Sequence, residues 1–150
     1  KVIISADTSG VVALSDTHFL ISSHLLTSGI GEIIDNAYEA ALAASSPDNT
    51  TAYTPVKLCI GFSEQDGQIV MSISGLSDTS SDESIYADSN NNRNYNMDRL
   101  CEPFFTTKEK HTGLGLSIVN QMCILSGAAL SMTYNTDTHM TTAYIAFKKA

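Results

Sequence analysis

The sequence predicts an α+β fold in two layers, with a mixed, mainly antiparallel sheet covered by helices on one face. Three observations carry that expectation. β-prone runs arrive in pairs around turn-like tetrads, helical periods stand between the pairs, and no repeat or break in composition divides the 150 residues into two units. With 43% hydrophobic residues, the chain can bury one core, so residues 1–150 are expected to form one domain.

Residues 2–6 and 11–14 are β-prone runs around Asp7-Thr8-Ser9-Gly10 and read as a hairpin. Ser15 and Asp16 supply N-cap chemistry for a helical pattern over 17–44, interrupted near Ser28-Gly29 and ended by Ser45-Ser46-Pro47-Asp48-Asn49. Residues 56–62 and 68–74 form a second expected hairpin through Glu64-Gln65-Asp66-Gly67. Between 75 and 96 the chain is rich in Ser, Asp and Asn, a composition that predicts a mobile excursion rather than core. A short helical turn at 97–101 and a helix over 113–125, opening on glycines and closing at Gly127, come next. Residues 129–134 and 141–147 are the last two strands, turning at Asn135-Thr136-Asp137, so the order reads β-β-α-β-β-loop-α-β-β.

Sixteen acidic against eight basic residues give a net charge of -8, which repels nucleic-acid backbones and anionic lipid surfaces. No nucleic-acid binding and no direct membrane contact are therefore expected. A small polyanion would need a divalent cation and local positive groups, and Lys108, Lys110 and His111 are clustered. The chain opens on Lys1, with no leader and no apolar run of the roughly 20 residues that span a bilayer. It is expected to be an excised, cytoplasmic piece of a longer protein whose sensor lies elsewhere. Cys59, Cys101 and Cys123 have no metal-site spacing and read as filler in a reducing compartment.

On a helix, Glu32, Asn36 and Glu39 project within one narrow sector, away from an apolar stripe of Ile30, Ile33, Ala37, Ala41 and Ala44. A carboxylate and an amide oxygen one turn apart offer two hard ligands to Mg²⁺, which keeps waters and substrate phosphates as the others. Taken alone, that spacing is equally at home on a solvated helix face. Farther on, Leu100-Cys101-Glu102-Pro103-Phe104-Phe105-Thr106-Thr107-Lys108 precedes Thr112-Gly113-Leu114-Gly115-Leu116-Ser117-Ile118-Val119. Glycines at the mouth of a helix let backbone N–H groups approach an anion, and the helix dipole adds positive potential there. Phe104 and Phe105 are expected to anchor this segment in the core, leaving 106–112 as a short lid with Lys108 and His111 as its cations. The spacing matches neither the P-loop nor the dinucleotide fingerprint.

The string Gly31-Glu32-Ile33-Ile34-Asp35-Asn36-Ala37-Tyr38-Glu39-Ala40 resembles the N box of the ATPase superfamily that holds DNA gyrase, the large heat-shock chaperone, mismatch-repair ATPases and histidine kinases. The glycine-rich string resembles the F box and second glycine box of sensor histidine kinases. Together the resemblance covers nearly the whole chain and is to the catalytic ATP-binding domain of those kinases, a GHKL module with the Bergerat sandwich. It implies ATP and Mg²⁺ as ligands, Asn36 on the metal, and Lys108 in the lid. Thr112, Gly113, Leu114, Gly115 and Leu116 would wrap the triphosphate, with His111 near a phosphate. Glu32 would bind the metal's water or polarise the acceptor imidazole. Because the related hydrolases use a Glu there as general base, Glu32 does not separate kinase from hydrolase.

The resemblance further implies a two-component system. The γ-phosphoryl passes to a His on a separate dimerisation domain and then to a response regulator. None of His18, His24, His111 or His139 has the acceptor's sequence context, so the acceptor lies outside this chain. One motif departs from the family. The first glycine box, Asp-x-Gly-x-Gly, supplies the carboxylate that accepts from the adenine amino group, and here Gly75 stands where that Asp belongs, with Asp78 as a displaced candidate. The alternative is a degenerate module that keeps the fold and acts through protein contacts.

Overall fold

The computed structural model describes residues 2–7, 25–45, 56–78, 82–88, 91–108 and 111–148, with 2–7 and 25–26 in the backbone alone. Six strands, β1 (Val2–Asp7), β2 (Val56–Gln65), β3 (Gln68–Leu76), β4 (Asn92–Asn94), β5 (Ala129–Asn135) and β6 (Met140–Lys148), form one sheet in the order β1-β2-β3-β6-β5-β4. Helices α1 (Ile30–Ala44) and α3 (Gly115–Leu125) pack on one face, and α2 (Met97–Leu100) is a single turn. The α+β sandwich expected from the sequence is the fold found.

The β2–β3 hairpin turns on Asp66 and Gly67, both at positive φ (49° and 72°). An Asp-Gly pair in that conformation matches the right-handed twist of the flanking strands. Alternation then sets the faces. Ile69, Met71 and Ile73 of β3 and Ala143, Ile145 and Phe147 of β6 are buried, and their strand neighbours are only half-buried. Against that face lie Ile33 of α1 and Val119 and Cys123 of α3, all in one core cluster. Full burial of Ile73, Ile145 and Val119 stabilises by about 1.5–3 kcal/mol each.

Two expectations are corrected. β1 pairs parallel with β2, Val2 opposite Val56, so it enters the sheet through a crossover that includes α1 and not as half of a hairpin. Residues 11–14, the hairpin's other half, lie outside the described residues, as does the helical pattern before Leu25. The interruption near Ser28-Gly29 is a π-helical turn, Leu25–Gly29, leading into α1. The polar stretch 75–96 is not a mere excursion. Ile85 and Tyr86 are buried beside the fully buried Tyr134, and the Tyr86 ring lies 5.0 Å from that of Tyr95. Backbone bonds from Asn96 N to Ile85 O (2.7 Å) and Tyr95 N to Met132 O (2.9 Å) tie the segment to the sheet. Average composition concealed three well-placed large side chains, Ile85, Tyr86 and Tyr95, and the short strand β4.

Candidate functional site

Two cavities open side by side between α1, the 105–108 segment and the mouth of α3. One, of about 200 Å³, lies on the apolar sheet floor of Ile73, Gly75, Met132 and Ala143, with Ile33 and Ala37 as its helical wall. The other, of about 180 Å³, is polar and gathers Glu32, Asn36, Thr106, His111, Thr112, Gly113 and Gly115. Asn36, Leu100, Thr107, Lys108 and Leu116 border both, making one cleft with an apolar end and a polar end.

The two sequence motifs meet at that polar end. A Cβ at Gly115 would lie 2.9 Å from Glu32 Oε2 and 3.8 Å from Asn36 Nδ2, so the mouth of α3 sits against the acidic side of α1 and a larger residue would have to displace the Glu32 carboxylate. Lys108 Nζ donates to Asn36 Oδ1 at 3.2 Å and to Glu39 Oε2 at 2.7 Å. His111 Nε2 is 3.7 Å from the same Glu39 oxygen. The hydrogen bond from Lys108 holds the Glu39 carboxyl below its usual range, with burial opposing and the charges of Lys108 and His111 adding. No side chain caps the N-terminus of α3. Its first-turn amides therefore remain for water or an anion, and the helix dipole favours the anion.

Gly113 has φ 68°, and a Cβ there would come within 2.5 Å of the Phe104 carbonyl carbon. Its oxygen accepts from Phe104 N at 2.9 Å, which ties together the residues on either side of Lys108. Phe104 is not the core anchor expected of it. It is 74% exposed with φ 69°, and Phe105 alone packs inward, against the Tyr86 and Tyr134 cluster and under the Arg99 guanidinium at 4.3 Å.

Of the candidate residues, Glu32, His111 and Thr112 are exposed at the polar end, and Asn36, Lys108, Gly113, Gly115 and Leu116 are half-buried in the cleft. Leu114 lines neither cavity. It precedes α3, and its carbonyl accepts from Ser117 Oγ and Ile118 N. Asp78 is exposed at the rim of the apolar end. Gly75 is buried inside β3, and a Cβ there would meet Leu58 Cδ2 at 2.7 Å and Ala37 O at 3.4 Å. A larger residue there would have to displace the Leu58 side chain of β2. His139 accepts or donates through Nδ1 to Tyr134 Oη at 2.9 Å, away from the cleft, and His18 and His24 lie outside the described residues.

No family model and no curated protein matches the sequence. Solved structures do match in three dimensions. A nucleotide-free catalytic domain of the histidine kinase ThkA superposes with a TM-score of 0.61 at 18% identity, covering 86% of this chain and 69% of that one. Two more nucleotide-free forms of the same domain give TM-scores of 0.60 and 0.59 at 18% and 17% identity, with 86% of this chain covered in each. The chain has the fold of a histidine kinase catalytic domain. At such identity the likeness is one of architecture, and the chemistry rests on this chain's own residues.

The cleft is apolar at one end and polar at the other. Among the described residues, no three His, Cys, Asp or Glu side chains converge as a metal site. The Asn36 amide oxygen and the Glu32 carboxylate nonetheless fit a cation that draws its remaining ligands from phosphates and water, as Mg²⁺ does. Sequence reasoning missed Glu39 as the partner of Lys108, although its place in the Glu32–Asn36 sector was visible. It also missed Ser77, Tyr95 and Thr141, which come from three separate segments and line or approach the apolar end.

Proposed function

We propose that this chain is the ATP-binding catalytic module of a cytoplasmic two-component sensor histidine kinase, which presents the ATP γ-phosphate to a His on a separate dimerisation domain. A response regulator then receives the phosphoryl group. One observation carries the reading. The acidic face of α1 and the uncapped, glycine-lined mouth of α3 share a single cleft, and that cleft continues into an apolar slot on the sheet.

In this reading the base lies between α1 and the sheet, with Asp78 at its rim, and the triphosphate runs toward Gly113 and Gly115. Asn36 would hold the metal through its amide oxygen, and Glu32 would bind the metal's water or polarise the acceptor imidazole. When bound, Mg²⁺ would neutralise phosphate charge there. Lys108, His111, Thr112 and the amides of 113–116 orient the tail, with Leu114 contributing backbone alone. Phosphoryl transfer asks a protein mainly for position and charge stabilisation, which is what this set provides. Gly75 favours a second reading, a degenerate module acting through protein contacts, because it removes the family's adenine-reading carboxylate.

Calorimetric titration with a non-hydrolysable ATP analogue, with and without Mg²⁺, separates the two. Binding tighter than about 1 mM, equivalent to about -4.1 kcal/mol, is expected with Mg²⁺ present. Asn36→Ala should remove most of the Mg²⁺ dependence. No heat at millimolar ligand supports the degenerate module, and unchanged Mg²⁺ dependence in Asn36→Ala removes that residue from the metal. Hydrolysis by the chain that vanishes in Glu32→Ala would instead indicate a gyrase-like or chaperone-like ATPase.

A further inference from the structure

Three hydroxyls from distant parts of the chain meet at the apolar end of the cleft. Ser77, just beyond β3, is 7% exposed, and its Oγ lies 2.6 Å from Thr141 Oγ1 on β6. Thr141 Oγ1 is in turn 3.0 Å from Tyr95 Oη. The cluster is fixed from behind. Ser77 N donates to His139 O at 2.9 Å, Tyr95 N donates to Met132 O at 2.9 Å, and Thr141 stands directly opposite Gly75 in the β3–β6 ladder. All three residues line the 200 Å³ cavity, whose remaining floor is Ile73, Gly75, Met132 and Ala143. Burial raises the Tyr95 phenol far above its ordinary range, which keeps it protonated at any working pH.

We propose that the Ser77–Thr141–Tyr95 hydroxyl cluster reads the base edge of the nucleotide, and that it accepts a 6-keto purine about as well as a 6-amino purine. The inference rests on the nucleotide-binding reading of this cleft and names its substrate class more closely, as purine nucleoside triphosphates without strong selection for adenine.

The reason is the chemistry of the groups. A carboxylate accepts and never donates, so at this position it welcomes an exocyclic amino group and repels a carbonyl oxygen. A hydroxyl both donates and accepts, and its proton rotates to suit the partner. A linear chain of hydroxyls has one more proton than it has links. Tyr95 is hydrogen-bonded in turn to Tyr86, so reversing the direction of the chain turns the Ser77 hydroxyl from an outward acceptor into an outward donor. The same cluster can thus offer an acceptor to an amino group or a donor to a carbonyl without moving a heavy atom. Packing also disfavours a carboxylate on the floor, because a side chain at Gly75 would press on Leu58 Cδ2 at 2.7 Å. Asp78, the carboxylate at this end, is exposed at the rim and competes with water for any ligand.

The test is paired calorimetric titration of the unmodified chain with Mg²⁺ complexes of non-hydrolysable ATP and GTP analogues. The expected result is binding of both, with dissociation constants within about tenfold of each other. Sites built around one hydrogen-bonding pattern reject the analogue lacking it by about 10⁴–10⁵, so an ATP preference above about 100-fold overturns the inference and leaves the nucleotide reading standing. Binding of neither overturns both. Thr141→Val, which removes the central hydroxyl at nearly constant shape, should weaken both analogues by a similar factor of about 5–10. An Asp78→Asn protein whose ATP-to-GTP ratio moves by more than about tenfold assigns base reading to the rim carboxylate and overturns the cluster's role.

Discussion

Replacing Lys108 with methionine removes a charge that is already occupied in the absence of ligand. Its ammonium bridges Asn36 Oδ1 at 3.2 Å and Glu39 Oε2 at 2.7 Å, with the two ionic side chains 32% and 41% exposed. An ion pair that open to solvent contributes about 0–1 kcal/mol. On nucleotide binding the ammonium must leave Glu39 for a phosphate oxygen, a charge-assisted bond worth about 1.5–3 kcal/mol. The difference is about 1–2 kcal/mol, so Lys108→Met should weaken an ATP analogue by about 5- to 30-fold. Adenosine, which lacks the tail, should change by less than about threefold. Glu39→Gln should act in the opposite direction, releasing the lysine and tightening the ATP analogue by up to about fivefold. Titration calorimetry of wild type, both single variants and the double variant measures the coupling. Equal losses for ATP analogue and adenosine in Lys108→Met, or additive effects in the double variant, refute the exchange of partners.

Gly113→Ala should destabilise the domain by about 1–3 kcal/mol, since the residue holds φ 68° and its Cβ would press on the Phe104 backbone at 2.5 Å; thermal unfolding measures it, and an unchanged Tm refutes the contact. Glu39 has a folded pKa lowered chiefly by the Lys108 hydrogen bond, so its contribution is present above its unfolded value of 4.5 and is lost as pH falls through the lower folded value. The stability gap between wild type and Glu39→Gln should accordingly be small at pH 7 and close below about pH 4, and a gap that widens in acid contradicts the assignment. Burial raises the Cys101 and Cys123 thiols to about 11, so neither should be alkylated at pH 7.5 until the chain unfolds, as peptide mass mapping will detect.

How far the site was legible depended on how its residues are spaced in the chain. Glu32, Asn36 and Glu39 share a face by helical periodicity, and Gly113 and Gly115 mark a helix mouth by composition, so both halves of the polar end were visible as local patterns. That the halves touch was not local information. It depends on α1 and α3 lying together on the same face of the sheet, and the resemblance supplied it before the coordinates did. The hydroxyl cluster had no sequence signal at all, because residues 77, 95 and 141 are brought together only by β3–β6 pairing and by the return of the 82–96 segment. Composition misjudged that segment because Ser, Asp and Asn outnumber Ile85, Tyr86 and Tyr95, whereas packing depends on where the few large side chains fall. Phe104 was misjudged in the converse way, since hydrophobicity alone says nothing of a backbone at φ 69° that turns the ring outward.

The charge distribution ties the cleft's two ends together. A chain of net charge -8 opposes a triphosphate everywhere except where backbone amides and a few cations are concentrated. Arg93 and Arg99 are committed elsewhere, to Glu83 and Glu102 and to the rings of Tyr86 and Phe105. Lys108 and His111 remain at the polar end, both leaning on Glu39. The anion therefore arrives at a cleft whose cations are held in place but satisfied, and a divalent metal on Asn36 would displace the ammonium from the oxygen they both require. Under the proposed function, competition for that one oxygen would couple metal entry to the freeing of Lys108, and so would favour the metal–triphosphate complex over either component bound alone.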